Sequence, residues 1–112
     1  MADNVYYNFV TGWPNEVAST VLRKISAYTR SNKVRYFKIG ITVDPERRFD
    51  EEHKYNYDEM AVVYRSDSYD NVCDLERELI EHNSGLADNM IGGGGGRKGE
   101  PPHYMYVVIK HR

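Results

Sequence analysis

The sequence predicts an α+β domain: a small, mainly antiparallel sheet of three or four strands flanked by about three helices. Three observations predict it. Residues 34–43 alternate, with Phe37, Ile39, Ile41 and Val43 on one face and Tyr36, Lys38, Gly40 and Thr42 on the other, the period of a half-buried strand. Residues 15–29 and 71–83 instead repeat their apolar side chains at helical spacing. A length of 112 residues suits one core, and no internal repeat divides it, so 1–112 reads as a single domain.

The elements follow in order. Asn4 to Val10 is a short β-prone run closed by Thr11-Gly12. Val17, Val21, Leu22, Ile25 and Tyr28 then recur at helical spacing, so 15–29 is an amphipathic helix starting at Pro14 or Asn15. Arg30 to Lys33 turns the chain into the strand 34–43. Asp44 stands where an N-cap belongs and Pro45 at the first helical position, where its missing N–H costs nothing. That helix runs to about His53. Met60 to Tyr64 is a further strand, and Asp70 or Asn71 caps the helix that Ser84-Gly85 ends. The run Gly92–Gly96 holds regular structure only at a cost, so 91–100 reads as a flexible glycine-rich loop. Pro101-Pro102 fixes the entry to a last strand, 103–110.

Composition narrows the function classes. The apolar runs are only a few residues long, so no membrane span is expected, and no basic start leads into an apolar stretch of the secretory kind. One cysteine, Cys73, excludes an internal disulfide and suits a reducing, cytoplasmic setting. It has no cysteine or histidine partner at ligand spacing, which argues against zinc. The glycine run lacks the lysine and helix of a nucleotide P-loop, and no nucleophile elbow is visible. Ten tyrosines against one tryptophan is a marked excess.

The formal charge of −2 conceals a segregation of sign. Residues 21–48 hold eight Lys/Arg against Asp44 and Glu46, whereas 49–88 hold twelve acids against Lys54, Arg65 and Arg77. Lys33, Arg35 and Arg47 in the basic stretch, with Arg97 and Lys98 behind the glycine run, are candidate nucleic-acid contacts. A solvated surface with segregated signs is the competing reading.

Two further features bear on chemistry. Lys38 at mid-strand and Arg48 in the first helical turns can project beside one crevice, a layout suited to an anion. In the helix 71–83, Glu76 falls inside the apolar stripe of Val72, Cys73, Leu75, Leu79 and Ile80, while Glu78 and Glu81 point outward. A carboxylate there is expensive unless a cation compensates it. Either Glu76 pairs with Arg48 or Lys38, or it lines a crevice and binds a divalent metal for phosphate chemistry.

These residues resemble the GIY-YIG nuclease superfamily, and more closely its phage-type branch with K-I-G as the second motif. Lys38-Ile39-Gly40 resembles the Y-[IV]-G strand, Asp44-Pro45-Glu46-Arg47-Arg48-Phe49 the start of the arginine helix, and Leu75-Glu76-Arg77-Glu78-Leu79-Ile80 the helix that carries the metal-binding glutamate. The likeness covers 34–90 as the core, with helix 15–29 an insertion or N-terminal addition. It implies a GIY-YIG-like sheet and hydrolysis of DNA phosphodiesters with one Mg²⁺ or Mn²⁺. By resemblance, Glu76 holds the metal, Arg48 binds the scissile phosphate, Lys38 replaces the second-motif tyrosine, and Asn89 supports the site. His53 orients the attacking water or is an ordinary helix-end histidine. The Gly-Ile-Tyr strand expected about ten residues before the second motif is missing; its spacing lands on Tyr28 inside a helix. Tyr7 or Tyr6 is the preferred substitute, and Tyr104 or Tyr106 on the last strand the alternative. The competing functions are a catalytically inactive nucleic-acid-binding module and a protein-interaction domain that uses the tyrosine-rich surface, alone or as a homodimer.

Overall fold

The computed structural model describes residues 4–82, 90–94 and 99–112. The protein is α+β, with the order β1 (Val5–Val10), α1 (Pro14–Thr29), β2 (Val34–Thr42), α2 (Pro45–Arg48), a π-helical turn (Phe49–His53), β3 (Glu59–Ser66), α3 (Tyr69–His82), β4 (Met90–Gly94) and β5 (His103–His111). Five strands form one mixed sheet in the order β1-β3-β5-β2-β4. The central ladders, β3 with β5 and β5 with β2, are antiparallel, and both outer pairs, β1 with β3 and β2 with β4, are parallel.

The fifth strand corrects an expectation. Met90–Gly94, the first part of the supposed glycine-rich loop, pairs with β2 at Phe37, Ile39 and Gly40. Strand pairing uses main-chain groups alone, so residues without side chains can join the open edge that β2 presents. Residues 95–98 of the expected loop lie outside the described residues.

Both faces of the sheet are covered. On the first face, α1 and α3 enclose Phe37, Ile39, Ile41, Ala61, Val63, Met105, Val107 and Ile109 with Val21, Ile25, Val72, Leu75 and Leu79. On the second, Phe49 and Tyr57 pack over Val5, Met60, Val62, Tyr106 and Val108. Strand β2 is therefore buried on two sides rather than half-buried, and Gly40 and Thr42 are buried as well as Ile39 and Ile41. Val43 lies beyond the last paired residue and is exposed.

Local chemistry explains the starts of the helices. The Asp44 carboxylate accepts from the Arg47 backbone N–H at 3.2 Å, with Pro45 next in line. The third helix starts earlier than expected: Ser68, not Asp70 or Asn71, is its cap, its hydroxyl accepting from the Asn71 N–H at 3.2 Å. Gly12 turns the chain from β1 into α1 at φ 133°, a conformation that favours glycine, and its carbonyl accepts from the Tyr64 hydroxyl. Among the described residues, no helix is long and apolar enough to cross a membrane.

Candidate functional site

The second face carries the polar chemistry. The antiparallel register sets Gly40 of β2 opposite Tyr106 of β5, and Lys38 opposite Val108. A Cβ on Gly40 would come within 2.5 Å of Tyr106 Cζ and overlap its hydroxyl, so the glycine of K-I-G is what admits the tyrosine. From the other side the π-helical turn delivers His53. Its closing bond runs from the Lys54 N–H to the Phe49 carbonyl at 2.8 Å, five residues back. His53 is 6 % exposed and its Nε2 lies 2.9 Å from the Tyr106 hydroxyl.

Arg48, one residue before that turn, completes the array. Its guanidinium pulls the Tyr106 phenol pKa down and pairs with Glu52 at 3.2 Å. A guanidinium offers no acceptor, so the phenol directs its proton to Nε2 of His53. The imidazole is then the Nδ1–H tautomer, an assignment made from the hydrogen-bond network. Electrostatics agree. Burial lowers the His53 pKa, and Lys38 and Arg48 lower it further while Glu52 opposes them, so the ring is neutral at pH 7. Burial pushes Tyr106 up to about 12 against the pull of Arg48, so the hydroxyl keeps its proton.

Glu76 approaches from α3. Its Oε2 is buried and has no hydrogen-bond partner among the described residues. Burial raises its pKa, and the Lys38 ammonium draws it partly back. Glu76 in turn acts on the Tyr106 phenol, as Arg48 and Glu52 do. Lys38, Arg48, His53, Glu76 and Tyr106 thus share one electrostatic neighbourhood. The ion pair that Arg48 makes is with Glu52, not Glu76, and among the described residues Glu76 Oε2 has no hydrogen-bonded cation. The one other buried side-chain atom without a partner among the described residues is Nδ1 of His103, whose ring meets Tyr69 edge-on with centroids 5.4 Å apart.

The remaining sequence candidates divide. Tyr7 shares the cross-strand row of Tyr106 through Val62, but β3 and β5 separate it from β2. Burial raises its pKa, with Glu46, Tyr104 and Asp44 adding to the effect. Tyr6 is exposed on the same edge strand. Arg47 is exposed and pairs with Glu51 at 3.1 Å. Lys33 and Arg35 are exposed at the start of β2, with the Arg35 guanidinium 5.9 Å from the centre of the Tyr36 ring. Asn89, Arg97 and Lys98 lie outside the described residues. Tyr106 is the alternative substitute, not the preferred one, and its signal was the i, i+2 placement of Tyr104 and Tyr106 on one face of the last strand. Glu52 went unmarked because an acid in a charged helix gives no signal of its own.

Among the described residues, no three His, Cys, Asp or Glu side chains gather as a metal cage. No family model matches the chain, and no curated protein or solved structure matches it either.

Proposed function

We propose that this chain is a metal-dependent endonuclease that hydrolyses DNA phosphodiester bonds at a GIY-YIG-type site. The observation that carries the reading is the Glu76 carboxylate, buried at Oε2 with no hydrogen-bond partner among the described residues and electrostatically coupled to Lys38 and Tyr106. A lone hard oxygen ligand fits Mg²⁺ or Mn²⁺, which complete their shells with water and substrate phosphate oxygens. Such a cation, when bound, withdraws charge from the phosphate and acidifies its water.

The chain's own side chains do the rest. Glu76 holds the cation. Arg48 and Lys38 receive the scissile phosphate and offset the charge that builds on its oxygens. Tyr106 takes the role of the missing first-motif tyrosine and turns its oxygen toward the nucleophile. His53 accepts the Tyr106 proton at Nε2 and so orients the phenol instead of gripping water directly. Gly40 leaves the space in which this happens.

Cleavage of supercoiled and branched DNA in Mg²⁺ or Mn²⁺ tests the reading. Wild type is expected to nick or linearise the DNA, Glu76→Ala and Arg48→Ala to lose on the order of 10³-fold, and Tyr106→Phe about 10²-fold. Tyr7→Phe is expected to stay within about threefold of wild type, in line with its place two strands away. If wild type and Glu76→Ala are equally inert on every DNA form, the enzyme reading fails and a silent binding module remains.

A further inference from the structure

The segregation of charge in the sequence survives folding as a segregation of ion pairs. Arg47, Arg48, Lys54, Arg65, Arg77 and Lys110 each sit within 4.0 Å of a carboxylate. No cation of α1, the α1–β2 turn or β2 does so among the described residues. Arg23 is exposed on the outer side of α1 with Ala27 four residues on, and Arg30, the C-cap, is exposed three residues further along. Lys33 follows in the turn and Arg35 at the head of β2, both exposed. Arg112 is tied to this place, because its N–H donates to the Lys33 carbonyl at 2.7 Å. Lys24 adds a further cation in the groove between α1 and β1, where it donates to the Asn8 side chain at 2.9 Å. Asp58 and Glu59, the acids beside the end of β5, are engaged by Lys110 and His111.

Five exposed cations with no ion pair among the described residues repel one another, and a near-neutral protein gains nothing in solubility from grouping them. A polyanion relieves the repulsion by releasing its own counterions. The band is also longer than one phosphate: Arg23 and the C-cap residue Arg30 lie seven residues, roughly 10 Å, apart along α1. We infer that the band formed by Arg23, Arg30, Lys33, Arg35 and Arg112 is a docking surface for the sugar-phosphate backbone of duplex DNA. It shares with the endonuclease reading the choice of DNA as ligand and nothing else. Docking here requires no metal and no intact Glu76, and it reads no base sequence.

Fluorescence anisotropy with a labelled 30-base-pair duplex in EDTA, over a range of salt concentrations, tests this. Wild type is expected to bind with log K falling against log salt at a slope near about −4, the value for four or five neutralised phosphates. The triple variant Arg23→Gln, Arg30→Gln, Lys33→Gln changes exposed side chains only. It is expected to bind at least about tenfold more weakly, with the slope reduced by about 3. Arg77→Gln, exposed on the acidic half, is expected to bind within about twofold of wild type. No salt-dependent binding by wild type, or an unchanged slope in the triple variant, overturns the inference. Plasmid cleavage distinguishes the two readings: inert protein with an intact slope sinks only the enzyme, and active protein with an unaltered triple variant sinks only the band.

Discussion

The two faces of this sheet solve opposite problems. The first face is dry: Ile39, Ile41, Val63, Val107 and Leu75 are at most 1 % exposed, and the helices over it, α1 and α3, bring Val21, Ile25, Val72 and Leu79. The second face is covered by a short helix and a π-helical turn, and its interior holds Tyr106, His53 and a glycine-shaped gap. Apolar burial of about 25 cal/mol per Å² favours the first arrangement without regard to direction. The second depends on hydrogen-bond geometry, where one missing partner costs about as much as several satisfied bonds contribute. Stability and chemistry are thus drawn from different sides of the same five strands. Glu76 belongs to a helix of the dry face, yet its charge is coupled to Lys38 and Tyr106 of the wet one.

That contrast breaks most visibly under truncation. Leu75→Ala removes a fully buried side chain between α3 and the sheet and is expected to cost about 2–5 kcal/mol in urea unfolding. A cost under 1 kcal/mol would mean that the first face is not the principal core. Gly40→Ala, on the other face, forces Tyr106 out of its position and is expected to cost about 1–3 kcal/mol. It should also release His53, seen as a shift of its imidazole titration toward the ordinary value of 6.5, because the ring regains water. An unmoved titration would show that Tyr106 does not hold His53.

The smallest effect has the opposite sign. The raised pKa of Glu76 means that the folded protein binds its proton more tightly than the unfolded chain, so stability is lost as pH rises from 4.5 through the raised value. Glu76→Gln is therefore expected to stabilise the metal-free protein at pH 7 and to change little well below pH 4, where both states are protonated. Thermal melts at the two pH values read this directly. A destabilised variant at pH 7 would reveal a satisfied carboxylate.

Much of this was legible in local sequence, and the rest was not for a definable reason. Helices 15–29 and 71–83 and the strand 34–43 announced themselves because their periodicity is set by what one face touches, and the Asp44-Pro45 start is a matter of three consecutive residues. The misplaced acid at 76 was visible for the same reason. Pairing was not. Gly40 meets Tyr106 across 66 positions of sequence, and nothing near either residue says which strand will lie alongside. Likewise Met90–Gly94 has no apolar pattern from which to infer a strand; what recruits it is the vacant edge of β2. Nor does the sequence say that β3 and β5 lie between Tyr7 on β1 and Lys38 on β2.

The π-helical turn has a consequence of its own. Its Lys54-to-Phe49 bond spans one residue more than an ordinary helical turn, so it gives the segment a spare position. Removing any one residue between 50 and 52 would let the backbone close as a regular helix with every main-chain bond intact. The imidazole would then be rotated by roughly 100° about the helix axis, out of line with the phenol. The extra residue is a setting of angle, and the backbone keeps no other record of it.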